Sequence, residues 1–418
     1  MNKSLLRSCL LLFATLLFVG CGDDGNGEPV DKDVIVINNN GTTSTGASYV
    51  RIDDKNFYLD YIKYTVEEAH LVVSGYDKTG GNSVNIATSI RFKSNLYHVN
   101  SIGNNAFFGC SDVTSIVIPA SVKMIGDNAF SGCSSLTALN LPAGVVSIGE
   151  GAFKDCANIT NLTIPSGVKA IASYLCSGCE KLSQISIPSG VTSIGTEAFA
   201  GCANLTAVEV PAVVNVLGEG AFKGCAKLTT VNIPDGVTGI GRNTFAGCCS
   251  LNAITIPQSV SSIRDYAFSR CASLTAVTLP NRITSVGYGA FEYCTGITEI
   301  TVPEGVTTLE AGAFAFCTGL ATVNLPSTLT SMQSGVFKRC TSLADVTLPV
   351  DHLFPTSTDI FDESNYKQAT LHVPADLVEA YKEAPIWKDF KAIVGIGDNT
   401  EGENTEGENT EGDKTEGE

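Results

Sequence analysis

Residues 148–165 read IGEGAFKDCANITNLTIP. Ile148, Ala152, Phe153 and Cys156 fall at i, i+4, i+5 and i+8, the spacing of one face of a helical turn. Ile159 follows, and Leu162 and Ile164 then alternate with Asn161 and Thr163, which is the period of a strand. Pro165 lacks an N–H and suits a strand end; Val168 turns back inward and Ile171 restarts the cycle. Eleven cysteines, from Cys110 to Cys340, each stand 23 residues from the next, and eleven prolines from Pro119 to Pro349 keep the same interval. So strict a period means one supersecondary unit stacked on itself, a solenoid. The predicted fold is an α/β repeat of about eleven coils. Each coil would give one short strand to a parallel β-sheet on one face, then a turn and a short helical turn.

Strands in a parallel ladder lie about 4.8 Å apart, so the array should be a rod of roughly 50 Å. Like side chains then form columns. One contains Phe107, Phe130, Phe153, Phe199 and their equivalents to Phe337, with Cys176 as its exception. Losing a buried Phe costs on the order of 3 kcal/mol, so the coil at Cys176 is expected to be the weakest unless Tyr174 or Leu175 swings in. The cysteine column reads as a reduced, packed ladder. In-register neighbours keep their Cβ atoms near 4.8 Å, whereas a disulfide wants about 3.5–4.5 Å, and free cysteine packs as a small hydrophobe. The Cys176–Cys179 pair and the vicinal Cys248–Cys249 lie about 15 Å apart, three coils away, and cannot share a metal ion.

The recurring string Ile-Gly-x-x-Ala-Phe-x-x-Cys followed by Leu-x-x-Ile-x-Ile-Pro resembles the BspA-like leucine-rich repeat surface proteins. Ile194-Gly195, Ala198-Phe199, Cys202, Leu205, Val208, Val210 and Pro211 show it, with Val for Ile in the strand. Gly144, Gly167 and Gly190 stand where the usual leucine-rich repeat has asparagine. The resemblance spans residues 57 to 394 and implies an extracellular adhesion or host-binding protein. The string Tyr381-Lys382 … Trp387-Lys388-Asp389-Phe390 resembles the family's closing unit.

Lys3 and Arg7, the apolar run Leu10 to Val19 and then Gly20-Cys21 form a signal-peptide pattern. Leu17-Phe18-Val19-Gly20-Cys21 resembles the bacterial lipobox, with Phe18 departing from the usual aliphatic residue. The resemblance implies cleavage before Cys21, lipidation of its thiol and an outer-membrane lipoprotein; an ordinary secretory signal is the competing reading. Gly22-Asp23-Asp24 resembles the export tag that places such lipoproteins on the outer face. Expected segments are a signal peptide (1–20), a flexible tether (21–48), an N-terminal cap (49–100), the repeat array (101–349), a C-terminal cap (350–396) and an acidic tail (397–418) too polar to bury surface. Of the formal charge of −17, residues 1–20 carry +2 and residues 396–418 carry −8, leaving −11 for the body between. Without a basic stripe, nucleic acid is excluded as the expected partner, and an acidic surface does not dock on anionic lipid. The membrane is reached through the N-terminal lipid alone, and a monomer is expected.

No His-Glu-x-x-His, Gly-x-Ser-x-Gly or phosphate-loop string occurs. The four histidines, His70, His98, His352 and His372, flank the array and cannot converge. No catalytic residue, metal ligand or cofactor site is therefore predicted. The candidate ligand face is the outward column of the strands: Asn140, Thr163, Ser186, Glu209, Asn232, Thr255, Thr278, Thr301, Asn324 and Thr347. It is small, polar and without aromatics, which disfavours a sugar platform and equally suits residues chosen for strand propensity. Tyr266, Tyr288 and Tyr293 are candidate aromatic contacts near the turn, and Phe108 and Phe316 read as breaks in the Gly-Cys step. The resulting expectation is a non-catalytic, adhesin-like protein that binds a host or matrix protein. A glycan-capture lipoprotein and a structural spacer are the alternatives.

Overall fold

The computed structural model describes residues 35–37, 43–44, 49–353 and 359–397. The predicted signal peptide, Cys21 and residues 398–418 lie outside them. The described chain is a solenoid of about 13 turns, more than the eleven cysteines mark. The strand stack continues past the cysteines at both ends: Ser83–Asn85 pairs with Ser115–Val117, and Thr370–Val373 and Ala392–Gly395 extend the ladder beyond Asp345–Thr347.

Two ladders of short parallel strands run along the stack. The predicted one joins Asn161–Thr163 to Gln184–Ser186, and later Glu299–Thr301 through Thr322–Asn324 to Asp345–Thr347. The second lies at the step that opens each repeat. It joins Ala170–Ile171, Ser193–Ile194 and Val216–Leu217, then Gly239–Ile240, Ser262–Ile263 and Ser285–Val286. Glycine follows most of these strands because the coils nearly touch there: a Cβ on Gly218 would lie 2.4 Å from the carbonyl carbon of Gly195.

The segment predicted as a helical turn is instead a run of tight turns. Alternate N–H groups serve two purposes. Those of Ala106, Phe108 and Cys110 bond within their own coil, to the carbonyls of Gly103, Asn105 and Phe107. Those of Asn105, Phe107 and Gly109 point along the rod to the carbonyls of Asp127, Ala129 and Ser131 at 2.7–2.9 Å. The alternation needs left-handed backbone at two residues per coil, such as Asn105 (φ 57°) and Gly109 (φ 64°). Such dihedrals cannot propagate an α-helix. The result is a third hydrogen-bonded ladder, which satisfies turn backbone that would otherwise be buried unpaired.

Inside, the rings from Phe199 to Phe337 stack at 5.2–5.7 Å with interplanar angles of 18° or less. Cys176 interrupts the stack. Leu175 occupies the slot that alanine fills at Ala152 and Ala198, and both Leu175 and Cys176 are fully buried. Leu175 thus adds bulk beside the slot that lacks a ring. Both ends of the ring column are covered. Tyr76 lies 5.5 Å from Phe107, and at the far end Phe361 stacks on Phe337 at 5.4 Å while meeting Phe390 edge-on at 83°. Turning a parallel stack into an edge contact leaves no open ring face to extend it.

Before the array, Tyr49–Arg51, Asn56–Leu59, Ile62–Glu67 and His70–Tyr76 form an antiparallel meander. Asn95–Ile102 then pairs parallel with both His70–Tyr76 and Met124–Ile125, so this sheet runs directly into the second ladder. Ile35–Ile37, inside the stretch expected to be a flexible tether, is a strand paired antiparallel with Ser89–Phe92. Two short helices, α1 (Glu363–Gln368) and α2 (Val378–Glu383), lie after the array. Among the described residues no helix is long and apolar enough to cross a membrane.

Candidate ligand surface

The pleat sends alternate strand residues outward, and the predicted column is solvent-facing throughout. Asn140, Thr163, Ser186, Glu209, Asn232, Thr255, Thr278 and Thr301 are exposed, while Asn324 and Thr347 are half-buried. Asn140, Thr255 and Thr278 lie outside a strand or its immediate continuation: residues 138–140 have no ladder partner, and the other two follow the isolated bridge between Ala253 and Ala276. Two asparagines of the column look to their neighbours. Asn232 accepts from the N–H of Val210 and donates to its carbonyl, both at 2.8 Å. Asn324 donates to Thr301 and to Glu299 at 3.3 Å each.

The face is dented rather than flat. Glu209, Thr230, Asn232, Ala253 and Thr255 border a shallow depression of about 720 Å³. A second, of about 660 Å³, lies beside it between Ser186, Ser189, Glu209 and Ala212, and a third of about 420 Å³ adjoins Thr278, Glu299 and Thr301. Alanine and threonine make these dents because they leave room between longer neighbours. The surface offers hydroxyls, amides and two carboxylates over several coils, with no nucleophile and base in contact. Such a surface can recognise a partner by hydrogen bonding and shape.

The cysteine column faces the interior. From Cys133 to Cys340 each ladder thiol donates to the carbonyl of the residue 26 positions earlier, as Cys133 to Phe107 and Cys271 to Phe245, both at 3.2 Å. Burial pushes the thiols of Cys133, Cys248 and Cys317 up to about 12. A thiol held protonated is a poor nucleophile and metal ligand. All thirteen described cysteines are unbridged, and Cys249 is the one that is exposed. Among the described residues no three His, Cys, Asp or Glu side chains gather as a metal site would require. His70 and His98, both read as lying before the array, are register partners on adjacent strands.

The predicted aromatics lie along the turn edge of the rod. Tyr266 meets Tyr288 edge-on at 5.1 Å. Tyr293 stacks on Phe316 at 4.4 Å, and its other face carries the guanidinium of Arg270 at 4.6 Å. Phe316 does replace the glycine that precedes its cysteine. Phe108 does not, because it stands one residue earlier, ahead of an intact Gly109. The residue before each ladder cysteine is left-handed in every coil. It is glycine at 109, 132, 178, 201, 224 and 247, Asp155 (φ 56°) before Cys156, and then Arg270, Tyr293, Phe316 and Arg339 in four successive coils, with φ of 60–64°. For a side chain with a Cβ this backbone costs roughly 1–2 kcal/mol per residue. The two stacking contacts return about 0.5–1.5 kcal/mol each beyond the area they bury, so stacking alone does not offset the strain. The sequence reading found Tyr293 and Phe316 but missed Arg270 and Arg339. Their shared position before a cysteine was the signal.

Residues 100–229 and 215–344 match the BspA type leucine rich repeat region, in six copies. A leucine rich cell surface protein from Faecalibacterium prausnitzii is 26% identical with a TM-score of 0.50, the match covering 72% of this chain and 94% of that one. A leucine-rich repeat protein from Bacteroides ovatus is also 26% identical with a TM-score of 0.50, over 83% of this chain and 99% of that one. No curated protein sequence matches.

Proposed function

The chain belongs to the BspA-type leucine-rich repeat family, and from that premise we propose that it is a non-catalytic, adhesin-like binding protein of the cell surface. Its ligand is a host or matrix protein docked along the strand face, and its anchor is a lipid on Cys21. The observation that carries this reading is the run of outward polar side chains from Thr163 to Thr301, dented by the depression at Asn232 and Thr255. A broad polar surface with shallow hollows suits another protein better than a small molecule, which needs a concave, mostly apolar site. The F. prausnitzii relative is described as a cell surface protein, which supports the location.

The test is binding of purified protein, lacking only residues 1–21, to a panel of extracellular-matrix proteins and polysaccharides. Thr255→Arg and Thr278→Arg place long charged side chains on exposed positions and should abolish capture of a matrix protein without unfolding the rod. Capture of polysaccharide alone would favour the glycan reading. Undiminished capture in both variants would move the site off the strand face.

A further inference from the structure

Four consecutive coils carry Arg270, Tyr293, Phe316 and Arg339 where six other coils have glycine and one has Asp155, all in left-handed backbone. Stacking alone does not offset the strain at these four positions. Backbone strain held against stability is a mark of functional positions. A second observation points to the same stretch. All six cations of residues 101–240 are lysine, whereas five of the six in residues 241–340 are arginine. Lysine serves solubility equally well, while arginine adds a planar fork that grips carboxylates with two hydrogen bonds. Tyrosine and arginine are also the residues in which protein contact energy concentrates.

We propose that the turn edge formed by Arg270, Tyr293, Phe316 and Arg339, flanked by Tyr266 and Tyr288, is a second docking surface that takes an acidic segment of a partner protein. The stacking geometry selects this chemistry. Tyr293 and Phe316 lie nearly parallel, at 11°, and Arg270 covers the remaining face of Tyr293. A sugar ring needs an open aromatic face, and Tyr293 has none. Around it the stripe offers ring edges, the positive part of the aromatic quadrupole, and the N–H groups of two exposed guanidiniums. Both are complementary to carboxylate and carbonyl oxygens. The stripe's own acids leave room for a partner's. Asp362 lies 3.9 Å from Arg339, whose side chain stays 64% exposed, and Glu292 is half-buried beside Arg270.

The proposal rests on the reading of the chain as a protein-binding protein, but not on the strand face. The test uses a random-sequence peptide library displayed on phage, selected on the chain lacking residues 1–21. It then compares the enriched synthetic peptides on three proteins: wild type, Thr255→Arg, and the combined Arg270→Gly, Tyr293→Gly, Phe316→Gly, Arg339→Gly variant. The expected result is enrichment of Asp- and Glu-rich peptides that bind wild type and Thr255→Arg alike and lose about tenfold or more in affinity on the glycine variant. That variant should unfold at the same or a higher urea concentration than wild type. A clear fall in its unfolding midpoint would make the stripe a packing device and overturn the proposal. So would selected peptides that lack acids, that bind the glycine variant unchanged, or that fail only on Thr255→Arg. In the last case strand-face binding survives while this edge does not, and if neither variant loses any ligand, both readings fall.

Discussion

The thiol of Cys271 donates to the carbonyl oxygen of Phe245 across a coil boundary, at 3.2 Å. That oxygen also accepts the N–H of Cys248 at 3.1 Å, so one acceptor ties its own coil to the next. Cys271→Ala removes the sulfur's packing and the cross-coil donor but leaves the oxygen one bond. It should cost about 1–2 kcal/mol. Cys271→Ser keeps a donor, yet its hydroxyl reaches less far and is more strongly desolvated, so it should cost at least as much as alanine. Urea midpoints of the two variants check this, and a serine variant more stable than wild type would contradict it.

The same ladder makes the rod sensitive to alkali. Burial pushes the thiols of Cys133, Cys248 and Cys317 up to about 12, against an ordinary 9.0, and holds those of Cys225, Cys271 and Cys294 well above that ordinary value too. A group whose pKa is higher in the folded state stabilises it fully below the unfolded value, near pH 9. Above that pH the unfolded chain ionises first, and each thiol withdraws about 1.4 kcal/mol per pH unit until its folded pKa is reached. Stability should therefore be level in thiol terms below about pH 9 and fall steeply toward pH 12. Urea titrations at pH 7, 9, 10 and 11 measure it; a midpoint independent of pH across that range would show that the thiols are not the cause.

Thiol accessibility gives an independent reading. Cys249 is exposed and the other twelve described cysteines are buried. A thiol reagent should modify Cys249 promptly in the native protein and the ladder only on unfolding. Mass measurement after denaturation should then find the ladder free. A mass corresponding to four or more disulfides would overturn the assignment.

Anchoring depends on Cys21, outside the described residues. If its thiol carries lipid, Cys21→Ala should release the protein from the membrane fraction, since several acyl chains are what make attachment stable. Fractionation with immunoblotting decides it, and unchanged retention would refute the lipoprotein reading.

What could be read in advance follows from which patterns are unambiguous. The alternation at Leu162 and Ile164 has one meaning, and it located both the strand ladder and its outward face. The spacing of Ile148, Ala152, Phe153 and Cys156 has two. It fits a helical face, but Ser147–Ile148 is a strand and the rest are turns. The difference lies in the positive φ values at positions such as Gly151, Asp155 and Tyr174, and only glycine announces such a value in a sequence. Asp155 and Tyr174 hide it, which concealed the third ladder. The stripe on the turn edge was half visible for the same reason. An aromatic in a glycine slot attracts notice, whereas Arg270 and Arg339 there look like ordinary surface charge until their backbone is seen.

The pair Leu175–Cys176 offers a test of column packing. In most other coils these slots hold alanine and phenylalanine, as at Ala152–Phe153 and Ala198–Phe199, and those four are fully buried. Leu175→Ala alone should leave a cavity beside a small cysteine and cost about 2–5 kcal/mol. Cys176→Phe alone should press a ring against Leu175 and cost about 1–3 kcal/mol. Together they restore the majority pair and let a ring bridge the gap between Phe153 and Phe199. The double variant should therefore be at least as stable as wild type, with a coupling of several kcal/mol between residues in direct sequence contact. Urea midpoints of the four proteins close the cycle. Additive losses would mean that Leu175 does not fill the space left by the missing ring, and that the coil at Cys176 is the soft point of the rod.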